Sequence, residues 1–183
     1  MKLGLKRGTI KLEPHDRRWR QEAGRVIGVL KRVLGEDAID IQHIGSTSIS
    51  SISAKPIIDI VVGVKDLTMI SKHNDELKEH GIYYRGSDVD GQLLYVMGDF
   101  ERDTRTHHIH VVIWNGKEWN NYVDFRDFLN YNVDVAFQYQ SLKESLESKY
   151  TNDRNAYTQG KREMIGRILE QARQWRTSAK YED

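Results

Sequence analysis

The sequence predicts an α+β fold: a mixed β-sheet flanked by helices, with a helical C-terminal part. Three observations predict it. The first half of the chain mixes apolar segments of strand-like and helix-like period. The second half carries only the helical period, and the change falls at the turn pair Asn115-Gly116. At 183 residues the chain is long enough to bury a real core. We read it as an α/β core over 1–118 and a helical segment over 119–183 packed on that core.

From Asp16 to Leu34 the apolar residues Trp19, Ala23, Val26, Ile27, Leu30 and Leu34 recur every three or four positions. This predicts an amphipathic helix, with Asp16 as its cap and Gly35 as its stop. Ala38 to Ile44 alternates and reads as a strand ended by Gly45, and Pro56 to Val64 is Ile- and Val-rich and reads as a buried strand. A helix is expected over Asp66 to His80, closing at Gly81. Strands over Gln92 to Phe100 and Thr106 to Trp114 are joined by a charged segment short enough for an antiparallel hairpin. Helices are expected over Asn121 to Tyr131, Val135 to Lys149 and Asp153 to Trp175, with a frayed polar end of eight residues.

Charge is nearly balanced, 28 basic against 27 acidic residues, for a net +1. That argues against nucleic acid as a generic partner and against a polybasic membrane anchor. The absence of cysteine excludes disulfides, thiolate nucleophiles and Cys-type zinc sites. Any metal must be held by His, Asp or Glu. The N-terminus lacks a signal-peptide pattern and the longest apolar run is too short to span a bilayer, so a cytoplasmic, non-membrane protein is expected.

Three constellations carry chemistry. Ile44-Gly45-Ser46-Thr47 ends a strand with a glycine and two hydroxyls, a pattern that holds phosphate or merely caps a helix. Asp59 interrupts an apolar strand, on the face opposite Ile58, Ile60, Val62 and Val64. Burying such a carboxylate is costly unless it is paired or bound to a cation. It is therefore either an ion-pair partner, with Lys55 or an arginine of the helical half, or a metal ligand. In Thr106-His107-His108-Ile109-His110, His108 and His110 share a face and could chelate a metal or touch a phosphate. Val112 at the next alternating position breaks the resemblance to histidine-triad hydrolases, and no Gly-x-Ser-x-Gly elbow supports a serine hydrolase. Arg85 and Arg126 suit phosphate or a buried carboxylate equally, while Lys161 and Tyr157 lie one turn apart and line the same side.

Gln42-His43-Ile44-Gly45-Ser46-Thr47, Ala54-Lys55-Pro56-Ile57-Ile58-Asp59-Ile60, Tyr84-Arg85-Gly86, Arg105 to Val112, Phe125-Arg126-Asp127-Phe128-Leu129 and Lys161 together resemble the GrpB family. The resemblance implies membership of the nucleotidyltransferase (polymerase-β-like) superfamily. In that superfamily a Gly-Ser holds nucleotide phosphate, and about a dozen residues later a strand carries Asp-x-Asp/Glu that binds divalent metals. Twelve residues separate Ser46 from Asp59 here. The second carboxylate, however, would fall at Val61, and His108 or His110 stands where a third acid is expected.

These residues imply a nucleotide or other phosphorylated small molecule as ligand, held by Gly45, Ser46, Thr47, Lys55, Arg85, Arg126 and Lys161. Asp59 and His110 would be catalytic, with Asp59, His108 and His110 holding a divalent metal (Mg, Mn or Zn). Nucleotidyl transfer to an acceptor is the leading expectation. A degenerate binding module and a metal-dependent phosphohydrolase are the alternatives.

Overall fold

The computed structural model describes residues 1–87 and 91–179. Of the eight C-terminal residues expected to fray, 180–183 lie outside the described residues, and 176–179 continue the last helix. The elements are β1 (Leu5–Lys6), α1 (Arg18–Leu34), β2 (Ala38–Ile44), β3 (Ile58–Val64), α2 (Asn74–Glu79), β4 (Tyr83–Gly86), β5 (Gln92–Met97), β6 (Thr104–Arg105), β7 (His107–Ile113), α3 (Lys117–Tyr131), α4 (Val133–Lys149), α5 (Arg154–Gly160) and α6 (Arg162–Ala179). The α+β architecture, with a mixed sheet and a helical C-terminal part, is the one the sequence predicts.

Five strands form one sheet in the order β2-β3-β7-β5-β4, and β1 pairs with β6 in a separate two-stranded ribbon. Only β3 and β7 run parallel; the other neighbours are antiparallel, including the expected pairing of β5 with β7. The alternation of β3 explains its central place. Ile58, Ile60, Val62 and Val64 pack into the main core with Trp19, Ala23, Val26 and Leu30 of α1. Val61, on the other face, meets Ile44, Val112 and Trp119 beneath α3. Both faces of β3 are thus covered, as its nearly unbroken apolar run requires. The helical part closes around Ile49, Ile52, Phe128, Leu129, Ala136, Tyr139, Ile168 and Ala172.

The structure differs from the expected elements in three places. Residues 66–80 form a 3-10 segment, Leu67–His73, before the short α2. Thr68, Ile70 and Ser71 are weak α-helix formers, and the Asp66 side chain accepts from the Thr68 N–H at the start. The last predicted helix divides at Gly160-Lys161. Gly160 lies so close to Leu146 that an added Cβ would sit 2.5 Å from its Cδ2, and the Lys161 N–H turns back to Thr158 O. Strands β1, β4 and β6 are too short for alternation to reveal them. Ile10 of the N-terminal segment packs with Leu146 and Tyr157 of the helical part.

Candidate functional site

The parallel register of β3 and β7 places Asp59 opposite His108 and Val61 opposite His110. Partnered residues of neighbouring strands share a face, so the carboxylate and both imidazoles project to the same side of the sheet. His108 Nδ1 lies 3.2 Å from Asp59 Oδ1, and His110 Nε2 lies 3.7 Å from the same oxygen. The Asp59 side chain keeps 29% of its surface exposed, so it sits on the floor of an opening rather than sealed in the core. Burial opposes its ionisation, yet the two imidazoles outweigh burial and hold the carboxyl well below the usual carboxylate range. On the far side of His110, the Tyr122 hydroxyl lies 3.4 Å from Nδ1 and donates to Gln92 Oε1 at 3.0 Å.

The chain leaves β2 through Gly45, whose φ of 70° and ψ of −174° favour glycine. A Cβ there would also stand 2.5 Å from Asp59 Oδ2. The missing side chain therefore lets the Ser46–Ser48 turn lie directly against the carboxylate. Thr47 is buried and pairs with His43 Nε2 at 2.9 Å.

Opposite the sheet, a cavity of about 510 Å³ opens between this turn and the helices α3 to α6. Its walls carry Lys55, Lys143, Arg154 and Lys161 together with Tyr122, Phe125, Tyr139 and Tyr157; Asp59 and Glu118 are its acids. Lys143 is 2% exposed. Its ammonium donates to Ser53 O at 2.5 Å and Ser46 Oγ at 3.3 Å and lies over the Tyr139 ring. Lys55 and Lys161 both lie over the ring of Tyr157. Burial, then the charge of Lys161, push Lys143 down to about 7. Burial, then the charge of Lys55, push Lys161 down to about 8. Lys55 is lowered as well, by burial and by Arg154.

The family model for GrpB protein matches residues 9–171. The chain belongs to the GrpB family. It is 41% identical over 170 residues to the glutamate-rich protein GrpB of Alkalihalophilus pseudofirmus, spanning 91% of this chain and 98% of that one. The crystal structure of conserved protein GrpB from Enterococcus faecalis is similar at a TM-score of 0.81 and 27% identity, over 88% of this chain and 96% of that one. A Cid1 poly(U) polymerase structure is similar at a TM-score of 0.46 and 13% identity, over 81% of this chain and 50% of the other.

In this GrpB chain, Gly45, Ser46, Thr47, Lys55, Asp59, His108, His110 and Lys161 all line the one cavity. Arg85 and Arg126 do not. Arg85 is exposed on the edge strand β4. Arg126 reaches across from α3 to the sheet, where Nη1 donates to Gln42 Oε1 at 2.7 Å and His43 O at 3.0 Å. It ties the helical part to the end of β2 rather than facing the cavity. The sequence reading missed Lys143, Arg154, Tyr122, Tyr139 and Glu118. A signal for Lys143 was present: Ala136, Tyr139, Lys143 and Leu146 follow the helical period of the buried face of α4, so a lysine stands where an apolar residue belongs.

Among the described residues, no group of three His, Cys, Asp or Glu side chains is arranged to hold a metal ion. His108 and His110 are turned onto Asp59 instead. A protein-only metal cage of these three therefore does not fit the site as folded. A magnesium-type ion, which takes one or two carboxylates and completes its shell with substrate phosphate and water, is compatible with Asp59 beside the lysine-lined wall.

Proposed function

We propose that this GrpB-family chain binds a nucleotide or a related phosphorylated small molecule in the cavity, with its phosphates against Lys55, Lys143 and Lys161. One observation carries this reading. Three lysines line one cavity, and no carboxylate among the described residues lies within ion-pair distance of any of them. Partly buried like charges repel each other and resist ionisation. A bound polyphosphate relieves that repulsion, and the hydroxyls of Ser46 and Thr47 add hydrogen-bond donors beside it. Tyr122, Phe125 and the aliphatic side chains Ile165 and Leu169 supply an apolar wall suited to a base or other flat group.

The chemistry favoured at the floor is nucleotidyl transfer. An acceptor hydroxyl placed at Asp59 gives its proton to the carboxylate–imidazole group of Asp59 and His110. The freed oxygen attacks the α-phosphorus, and pyrophosphate departs toward the lysines. A divalent ion arriving with the phosphates, held at Asp59, would neutralise charge on the phosphate oxygens. Binding without turnover is the second reading, favoured by Val61 standing where a second acidic ligand is expected.

Melting temperature and pyrophosphate release, measured over the nucleoside triphosphates with and without magnesium or manganese, test both. Stabilisation that survives Asp59→Asn but is lost in Lys143→Met supports the ligand placement, because a ligand specific to the folded state raises its melting temperature. Pyrophosphate release abolished by Asp59→Asn supports transfer. Stabilisation without product supports the binding module, and phosphate release in place of pyrophosphate identifies a hydrolase. No stabilisation by any phosphorylated ligand would overturn the reading.

A further inference from the structure

The cavity is charged unevenly along its length, and its acidic end enters none of the chemistry above. Its cations gather near the start of β3: Lys55 lies four residues before Asp59, Lys143 bonds to Ser46 Oγ and Ser53 O, and Lys161 shares the Tyr157 ring with Lys55. Glu118 lies the other way. Trp119, its neighbour in α3, is so close to Gly63 that an added Cβ would stand 2.8 Å from the ring Cζ3. Gly63 is four residues beyond Asp59 on β3, about 13 Å along the strand. The first turn of α3 therefore stands over the far end of β3, and along that strand Asp59 lies between it and the lysines.

Glu118, Asn121, Tyr122 and Phe125 recur every three or four positions on α3 and line the cavity together. The side chains of Glu118 and Asn121 form no hydrogen bond or ion pair with any described residue. Of the two acids in the cavity wall, Asp59 is already held by two imidazoles, so Glu118 is the one whose acceptor oxygens are unused. A place in the first turn of α3 suits an acid, but it accounts for neither the amide of Asn121 in the cavity wall nor the aromatic rings beside it. Ile165 and Leu169 of α6 complete the apolar lining of this part.

We propose that Glu118 and Asn121 select guanine, which makes the ligand of this cavity a guanosine nucleotide. The proposal rests on the cavity reading above and deepens it. With the phosphates on the lysines and the α-phosphorus at Asp59, the base falls against Tyr122 and Phe125 with its edge toward Glu118. An ionised carboxylate only accepts hydrogen bonds. Guanine alone among the four common bases offers it two adjacent donors, N1–H and the 2-amino group. Adenine and cytosine each set their amino group beside a bare ring nitrogen, and uracil sets its N–H between two carbonyl oxygens. Each of these turns a lone pair toward the carboxylate. The Asn121 amide donates to guanine O6 or N7, the acceptors of the neighbouring edge.

Isothermal titration of the full chain with GTP, ATP, CTP, UTP, inosine triphosphate and xanthosine triphosphate tests this in wild type, Glu118→Gln and Lys143→Met. Wild type should bind GTP at least about tenfold more tightly than ATP, CTP or UTP, the discrimination of one good bidentate contact. Inosine triphosphate, which lacks the 2-amino group, should fall about fivefold or more below GTP. Xanthosine triphosphate carries a carbonyl oxygen in place of that group. Glu118→Gln, whose amide both accepts and donates, should therefore lose affinity for GTP and gain it for xanthosine triphosphate. A loss of packing or of fold does not produce that exchange. Equal affinity for all the triphosphates, or a preference for another base, lost in Lys143→Met, overturns guanine selection and leaves the cavity reading standing. A GTP preference that persists in Glu118→Gln also overturns the assignment. No binding of any triphosphate by wild type overturns the cavity reading and this proposal with it.

Discussion

At Gly45 the local backbone and the site depend on the same missing atom. The residue occupies a φ/ψ region essentially reserved for glycine, and its Cα leaves room for Asp59 Oδ2. Gly45→Ala should therefore destabilise the fold by about 1–3 kcal/mol from the backbone alone, with a further penalty from the displaced carboxylate. A urea melt, read beside a nucleotide-stabilisation assay, measures both losses. Two buried histidines set a second prediction. Burial, only partly offset by Asp59, lowers His43 to about 4; burial, only partly offset by Glu22, lowers His107 to about 4. Each is neutral in the folded chain, while its unfolded form takes up a proton below its ordinary value near 6.5. Stability should then fall as pH drops from about 6.5 to about 4, by up to about 1.4 kcal/mol per pH unit for each histidine. His107→Gln should flatten this dependence in denaturant melts across that window.

Among the elements, α3 and α4 do different work at the cavity. Helix α3 is anchored by Arg126, whose bonds to Gln42 Oε1 and His43 O fix the end of strand β2 before Gly45. A lysine there keeps the charge but lacks the planar fork. Arg126→Lys should cost about 1–3 kcal/mol, the range for a partly buried hydrogen bond to a charged group, and should weaken ligand binding indirectly through the Gly45 turn. Wild-type stability and ligand affinity in Arg126→Lys, with both lost in Arg126→Ala, would instead show that charge alone matters. Helix α4 places Lys143 among Ala136, Tyr139 and Leu146 on its buried face. Lys143→Met fills the same space without an ammonium, so it should abolish phosphate binding in the cavity while the ligand-free protein loses only the bonds to Ser53 O and Ser46 Oγ. Thermal melts with and without phosphate separate the two effects.

For the molecule as a whole, the lysine cavity couples stability, pH and ligand. Lys143 and Lys161 titrate near 7 and 8 when folded but near 10.4 when unfolded. The unfolded chain therefore binds more protons between about pH 7 and pH 10, and the ligand-free protein should gain stability as pH rises through that window. Phosphate binding runs the other way, because it needs the ammonium forms. At pH 8 it should take up protons, which titration in two buffers of different ionisation enthalpy detects. A binding heat independent of buffer would contradict the coupling.

The amino-acid order alone determined the α+β class, the main helices and strands, and the side of β3 on which Asp59 lies, because apolar period and turn residues act over a few positions. It also marked Gly45, Ser46, Asp59, His108 and His110 as residues that ordinary core packing does not call for. Only the tertiary structure decided that β3 and β7 run side by side in parallel, which turns two separate motifs into one carboxylate–imidazole group. It likewise decided that Arg126 supports β2, and that Lys143 and Arg154 join Lys55 and Lys161 across a cavity. Those pairings depend on long-range contacts between segments with no local signature of one another, and the electrostatic field of a cavity exists only once its walls have met.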